Sequence, residues 1–136
     1  MNALCTFLKS AAITAGAICG YYMGPLDGLL TALLIFVIID YVTGVLAAWV
    51  TKSLDSNIGF HGILRKVIIF LVVGVSNVLD VYVIKTGTAI RSGVICFYLA
   101  NEGLSILENA GRAGLPLPDA LKAALEQLKT HKEEHL

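Results

Sequence analysis

Residues 28–50 read GLLTALLIFVIIDYVTGVLAAWV, and this stretch decides the fold class of the 136-residue chain. It contains one charged side chain, that of Asp40, close to its midpoint. A helix needs about 20 predominantly apolar residues to cross the hydrocarbon core of a bilayer. The stretch therefore predicts a transmembrane helix with a single acid near the middle of the membrane.

Three further stretches approach the same length: residues 4–24, 65–84 and 88–109. Turn-forming residues separate them, with Gly24 and Pro25 after the first and Lys-Thr-Gly at 85–87 before the last. Residues 51–64 are expected to form the longest loop. We therefore predict an all-α integral membrane protein with four transmembrane helices. Lys9, in the first of them, lies close enough to its end for the amine to reach the headgroups.

The composition favours lipid over water as the surrounding medium. Hydrophobic residues make up 57% of the chain and charged residues 15%, and the mean hydropathy is +0.79. A soluble domain normally has about a quarter of its residues charged. The formal net charge is zero, which argues against nucleic acid as a partner. The three cysteines lie in apolar runs without metal or redox spacing and are interpreted as small hydrophobic residues: Cys5, Cys19 and Cys96.

The amino-terminal span is interpreted as a retained helix and not as a cleaved signal peptide. Residues 1–8 contain no Lys or Arg. Ile18, before Cys19, is too large for a lipoprotein-type cleavage position.

Basic residues predict the orientation, because short cytoplasmic loops carry an excess of Lys and Arg. With both termini inside, only Lys85 and Arg91 of the ten basic residues lie on the outer side. If the first segment were not inserted, the amino terminus alone would change sides. The remaining basic residues are assigned to the cytoplasmic side: Lys9, Lys52, Arg65, Lys66, Arg112, Lys122, Lys129 and Lys132.

The chain divides into a transmembrane domain, residues 1–111, and a cytoplasmic tail, residues 112–136. Within the tail, Pro118 and Asp119 are typical of a helix start. Three leucines, Leu121, Leu125 and Leu128, then fall on one side of the helix. The tail is predicted to be a short amphipathic helix in water or at the interface.

Two acids, Asp40 and Glu102, are expected at similar depths near the bilayer midplane. No Lys or Arg is expected at that depth, so each acid either holds a proton or faces a wet cavity. In one interpretation the two acids only hold the helices together by hydrogen bonds. In the other they take part in conduction or in a switch between assembly states.

Polar residues near the helix ends are predicted to pair between helices. Asp80 and Arg91 lie about one turn from the outer ends of a helical hairpin and are expected to pair directly, with Asn77 as a further donor. A second polar clasp is expected at the inner side from four residues: Glu108, Asn109, Arg65 and Lys66.

Small residues recur at four-residue spacing on two helices and predict close helix packing. Ala12, Gly16 and Gly20 share one face of the first helix, while Gly44 and Ala48 continue the Asp40 face of the second. The contacts are expected either within one subunit or between subunits.

The sequence contains no pattern that indicates an enzyme. There is no Ser/His/Asp or Cys/His set and no phosphate-binding glycine loop, and His61 is interpreted as a loop residue near the interface. We expect no catalytic residues, no metal and no cofactor.

Three stretches carry a resemblance to a known family: IDYVTGVLAA at 39–48, SNIGFHGILRK at 56–66 and YLANEGLSILENAGRAGLPLPDAL at 98–121. Together they resemble phage holins of the toxin-secretion and phage-lysis group. Such proteins combine an acid followed by Gly in the second helix, Gly-x-x-Gly near the start of the third and E-x-x-S-I-x-E-N closing the fourth. The matching residues here are Asp40, Gly44, Gly59, Gly62, Lys66, Glu102, Ser105, Ile106, Glu108 and Asn109.

The resemblance implies a protein of the bacterial cytoplasmic membrane that forms homo-oligomers and opens lesions at a set time. Such lesions let an endolysin, or a toxin, cross the membrane and cause host lysis. The partners implied are the lipid bilayer, further copies of the chain and a functional link to the hydrolase or toxin. In this reading Asp40, Gly44 and Glu102 are candidates for the pore or its switch.

Two other classes fit the size of the chain. A small four-helix proton-coupled exporter would need its essential acid in the first helix, where this sequence has only Lys9. An accessory structural membrane subunit would use Asp40 and Glu102 as interhelical hydrogen-bonding groups. Loss of both acids without a functional effect would favour the structural subunit.

Overall fold

The computed structural model describes residues 2–124 and 127, and within them the chain is helical without strands. The four long helices are α1 (Asn2–Met23), α2 (Gly28–Val50), α3 (Ser56–Val78) and α4 (Ala89–Arg112). A π-helical segment, Leu79–Val83, continues α3. Residues 119–124 are also helical, and the rest of the predicted tail helix, apart from residue 127, lies outside the described residues.

The third helix begins at Ser56, within the stretch that was expected to be a loop. Asp55 has extended backbone angles and its side chain accepts a hydrogen bond from the Asn57 amide at 2.8 Å, so it caps the helix. His61 therefore lies on a helix and not in a loop, and its Nδ1 contacts the Asn57 carbonyl at 2.7 Å. A capping aspartate ahead of a polar first turn explains the earlier start.

Three of the described helices are long and apolar enough to cross a membrane: residues 2–23, 28–50 and 56–83. The fourth predicted span coincides with α4, which is not among the three. Arg91, Glu102 and Glu108 lie on α4 and lower its hydropathy.

Helices α2, α3 and α4 pack together at the centre of the bundle. Helices α2 and α4 contact each other along most of their length, α3 packs against both, and α1 packs against α3. The apolar core is formed by Leu30, Leu33 and Val37 of α2, Ile69 and Val73 of α3, and Ile95 of α4. No residue of α1 is buried. The bundle thus has a three-helix centre with α1 on its outside.

Buried side chains are as often polar as apolar, whereas large apolar side chains cover the exterior. Arg91 is 0% exposed and Asp80 is 1% exposed, while Trp49 is 71% and Phe97 is 66% exposed. A protein in water buries charges rarely and hides its large apolar side chains. This distribution is the one expected of a bundle whose exterior contacts lipid.

Helix α1 is attached to α3 through its last turn. The Tyr22 ring lies directly on Gly74, where an added Cβ would stand 1.7 Å from the ring. The Tyr22 hydroxyl donates to the Leu71 carbonyl at 2.7 Å, and the Tyr21 and Tyr82 hydroxyls hydrogen-bond to each other. The attachment is therefore confined to one end of α1.

We name the two ends of the bundle by their connections. The Pro25 end contains the α1–α2 turn and the connection from α3 to α4. The Thr51 end contains the α2–α3 connection and the end of α4.

Candidate functional site: two buried clusters of charge

Lys66 joins two acids from two other helices. Its Nζ donates to Oδ2 of Asp40 on α2 and, at 2.8 Å, to Oε2 of Glu102 on α4. The side chains are 15% exposed for Lys66, 10% for Asp40 and 6% for Glu102. We call these three residues the charge triad. It ties together the three helices that form the centre of the bundle.

The members of the charge triad occupy one level. Asp40 lies ten positions before the end of α2, Lys66 ten positions after the start of α3, and Glu102 ten positions before the end of α4. At about 1.5 Å of rise per residue, each lies about 15 Å from the Thr51 end. This is about half of the roughly 30 Å hydrocarbon thickness of a bilayer. The triad therefore stands at the middle of the helices.

The expectation that no Lys or Arg shares the level of Asp40 and Glu102 is wrong. It placed Lys66 at the end of the third span, whereas the start of α3 at Ser56 moves Lys66 to mid-helix. An ammonium group between two carboxylates offsets part of the cost of burying them.

Asn109 supports the Asp40 side of the charge triad. Its Nδ2 lies 3.0 Å from Asp40 Oδ1, 3.1 Å from the Asp40 carbonyl oxygen and 3.1 Å from the Thr43 hydroxyl. A Cβ at Gly44 would lie 3.5 Å from the same Nδ2. Gly44 thus leaves room for the Asn109 amide one turn beyond Asp40.

The predicted clasp of four residues at the inner side is not formed as one cluster. Lys66 and Asn109 instead donate hydrogen bonds to Asp40, as described above. Arg65 and Glu108 are both exposed side chains. The split follows from helix periodicity, since adjacent residues on α3 and on α4 point in different directions.

A second cluster, which we call the end clamp, surrounds Arg91 at the Pro25 end. The guanidinium donates from Nε to the Met23 carbonyl, from Nη2 to the Pro25 carbonyl and from Nη1 to Asp27 Oδ2, each at 2.7 Å. Helix ends leave carbonyl groups without helical partners, and Arg91 satisfies one at the end of α1. The planar fork of the guanidinium suits this set of acceptors.

Asp80 caps α4 from the neighbouring helix. It accepts hydrogen bonds from the backbone amides of Ile90 at 3.1 Å and Arg91 at 2.7 Å, and from the Thr86 hydroxyl. Thr88, at the capping position itself, makes no side-chain cap. The predicted pairing of Asp80 with Arg91 therefore occurs through the Arg91 amide, and the guanidinium pairs with Asp27 instead. The carboxylate also lies at the positive end of the α4 dipole.

Gly24 permits the close approach of the end clamp. Its φ of +85° suits glycine, and a Cβ there would stand 2.7 Å from Asn77 Oδ1 and 2.9 Å from Arg91 Nε. Asn77 donates to the Tyr22 carbonyl at 3.0 Å, so its interhelical hydrogen bond joins α3 to the end of α1.

Asp27 links the end clamp to α2. Its Oδ1 accepts from the Leu30 amide at 3.0 Å and caps the helix, while Oδ2 binds Arg91. The Leu30 amide, and after it the Arg91 guanidinium, hold the pKa of the Asp27 carboxyl below its usual value. The sequence predicted only a turn at Gly24 and Asp27 and not their contacts with Arg91, although an Asp directly before an apolar run is a recognised sign of a helix start.

The two stripes of small residues differ in their surroundings. Gly44 lies against Asn109 within the bundle, and Ala48, on the same face, is half-buried. The α1 stripe of Ala12, Gly16 and Gly20 is exposed, and a Cβ at either glycine would meet nothing within 4 Å.

The chemistry of these clusters is that of charge neutralisation and helix pairing. Within residues 2–124, no group of three or more His, Cys, Asp or Glu side chains is placed to hold a metal ion. The buried polar atoms of the described side chains all have hydrogen-bond partners. Both clusters are therefore closed and internally satisfied.

Comparison with known proteins gives a consistent result. The sequence profile of the bacteriophage holin family matches residues 17–130. An uncharacterized protein of Halalkalibacterium halodurans is 44% identical over 124 residues, covering 88% of this chain and 91% of that one. A 14.9 kDa uncharacterized protein in the nagH 3' region of Clostridium perfringens is 38% identical, covering 97% and 100%. The probable holin of Bacillus phage phi105 is 36% identical over 105 residues, covering 77% of each chain. No solved structure matches.

Proposed function

The chain belongs to the bacteriophage holin family, and on this premise we propose that it oligomerises in the bacterial cytoplasmic membrane and opens lesions at a set time. The lesions let an endolysin or a toxin cross the membrane. The chain acts without catalysis, and the cargo protein makes no direct contact with it.

The charge triad is the observation that carries this proposal. Ions at the centre of a membrane helix are costly, and the cost falls when they are paired within the bundle. Asp40, Lys66 and Glu102 satisfy each other inside one subunit, while the exterior is apolar. Such a subunit can accumulate in the bilayer without leakage.

Opening requires the three central helices to separate, because each contributes one member of the charge triad. Once separated, the charged side chains are stable only in contact with water or with a neighbouring subunit. They therefore become the lining of the lesion. The face of α2 that bears Asp40 and Gly44 packs against Asn109 in the closed subunit and faces water in the open assembly.

The α1 stripe of Ala12, Gly16 and Gly20 is the proposed contact between subunits. Small residues at four-residue spacing let two helix backbones approach closely in a membrane. In the single subunit the stripe is uncovered and α1 is attached only by its last turn. A second copy of α1 fits this surface.

We include α4 among the membrane-spanning helices of the proposed assembly. Its charged residues Arg91 and Glu102 face partners inside the bundle, whereas Phe97 and Cys96 face outward. Two of the three charges that lower the hydropathy of α4 thus face the inside of the bundle, and the third, that of Glu108, is exposed one turn from the Thr51 end. Four spans give both termini the same side.

The Thr51 end is proposed to face the cytoplasm. Lys52 and Arg112 lie at this end, and Lys85 lies at the Pro25 end. An excess of basic residues marks the cytoplasmic side. Lys66 and Arg91 no longer enter this count, since both are held inside the bundle.

The proposal is tested by inducing the chain in a bacterium that also produces a cytoplasmic wall hydrolase without an export signal. Culture turbidity and release of a cytosolic reporter enzyme are followed after induction. Abrupt lysis after a delay, with reporter released only when both proteins are present, is the expected outcome. Continued growth with the chain inserted in the membrane would contradict it and would favour an exporter or a structural subunit.

A further inference from the structure

The charge triad contains one more acid than base. If all three groups were ionised, two carboxylates and one ammonium would leave a net negative charge at the middle of the bundle. Counted as whole residues, Asp40 is 8% exposed and Glu102 is 4% exposed, so water does little to stabilise that charge. A carboxyl group in such surroundings is neutralised by a proton more readily than it remains ionised.

The hydrogen bonds distinguish the two acids. Asp40 accepts hydrogen bonds from Lys66 and from the Asn109 amide, whereas Glu102 accepts one from Lys66. Donors favour the ionised form of a carboxyl group. Asp40 has the larger set of donors. Glu102 is therefore the acid whose ionised form the surrounding hydrogen bonds favour less.

The remaining ionisable groups around the triad leave this assignment unchanged. On α2 the Tyr41 hydroxyl is directed to Gly59, 3.7 Å from the position of a Cβ there. Arg65 on α3 and Glu108 on α4 are exposed. Lys9, the one charged residue of α1, is also exposed, and α1 contacts the bundle through α3.

We propose that the closed bundle binds one proton at the charge triad, on Glu102, and releases it when the bundle opens. In the release step, entering water accepts the proton from the Glu102 carboxyl group, which leaves a carboxylate and a hydronium ion. The triad then carries a net negative charge that only hydration stabilises. Higher pH accordingly favours the open form. The inference rests on the proposed membrane insertion of α4; the binding of the proton does not depend on lesion formation, whereas its release requires the bundle to open.

Infrared spectroscopy tests the proposal on the full chain in lipid vesicles near neutral pH, because protonated and ionised carboxyl groups absorb separately. The wild type is expected to show one more protonated carboxyl group per chain than Glu102→Gln. The matched variant Glu108→Gln, which changes an exposed acid of the same helix, is expected to equal the wild type. Equal spectra for wild type and Glu102→Gln would overturn the proposal.

A second variant checks the charge count. Lys66→Met removes the base, so both acids are expected to bind protons and the signal to rise by one carboxyl group per chain. An unchanged signal in a folded Lys66→Met protein would contradict the proposal. Circular dichroism reports whether each variant keeps its helices. Neither spectrum depends on lysis, so failure of the lysis assay would count against the proposed function alone.

Discussion

The ring of Tyr22 rests on Gly74, so that the last turn of α1 and the last part of α3 are in contact without an intervening side chain. A Cβ at position 74 would overlap the ring, with Cε1 at 1.7 Å. The Tyr22 hydroxyl bond to Leu71 depends on the same approach. The position of α1 is therefore sensitive to a single methyl group on α3.

Gly74→Ala is expected to displace α1 from α3. Cysteines introduced as Tyr21→Cys and Tyr82→Cys, in a chain whose native cysteines are replaced by alanine, report this contact through the yield of a flexible bis-maleimide cross-link. The yield should fall severalfold in Gly74→Ala. Gly62→Ala is the matched control, since a Cβ at that α3 glycine meets nothing within 4 Å. Equal yields in the two variants would show that the ring does not hold α1.

Lys66→Met is expected to destabilise the bundle, because it leaves Asp40 and Glu102 without their shared partner. Removing one member of a buried ion pair costs about 3–5 kcal/mol. The loss should be greatest at alkaline pH, where the acids remain ionised. Unfolding in mixed micelles, followed by circular dichroism, measures the change.

Arg65→Met provides the control for this experiment, since Arg65 is the exposed neighbour on the same helix. It should change the free energy of unfolding little. A chain that also carries Asp40→Asn and Glu102→Gln should recover much of the stability lost in Lys66→Met. Failure to recover would show that Lys66 acts by packing and not by charge.

The Asp27 charge is expected to make the Pro25 end sensitive to acid. The pKa of this carboxyl is lowered in the folded chain from an ordinary value of 3.8. Its contribution is therefore fully present above that value and is lost as the pH falls through the lowered pKa. The side chain is 40% exposed, so the effect is small.

Asp27→Asn isolates the charge, because Asn also caps helices and can still accept from the Leu30 amide. The variant should be less stable than the wild type at neutral pH. The difference should shrink on acidification, as measured by thermal unfolding in detergent. A difference that does not change with pH would show that the Asp27 charge is not its cause.

Asp40→Asn and Glu102→Gln should each delay lysis in the two-protein assay. Either change leaves Lys66 paired with the one remaining acid, so the cluster cannot gain a net negative charge by releasing a proton and has less tendency to meet water. Asp119→Asn, an exposed acid outside the bundle, is the control and should lyse on the wild-type schedule. Unchanged timing in both triad variants would exclude the triad from the switch.

The apolar pattern predicted the all-helical fold and three of the membrane-crossing helices, because long uninterrupted apolar runs specify them directly. Helix α2 begins and ends where its apolar run does, at Gly28 and Val50. The start of α3 was not predicted, because residues 56–61 are too polar to continue a membrane pattern. Only the Asp55 cap marks the position where this helix begins. Because the predicted helix began too late, Lys66 was expected at its end, whereas it lies at mid-helix.

Most residues of the candidate site could be predicted from the sequence, whereas the partner that each of them binds could not. Asp40, Glu102, Asp80 and Arg91 stood out because ionisable residues are rare in apolar stretches. Their partners depend on helix rotation and on backbone groups, as when Arg91 binds the Met23 and Pro25 carbonyls. Hydropathy contains no information about either.

The partners supplied by α4 have a consequence for the order in which the bundle is completed during synthesis. Arg91 neutralises Asp27, the first amides of α4 bind Asp80, and Glu102 and Asn109 close the cluster around Asp40. A nascent chain that ends before α4 carries acids on α2 and α3 that lack these groups. The packing of the earlier helices is thus incomplete until the last helix arrives, and a truncation before residue 89 should leave a chain that membrane quality-control proteases degrade.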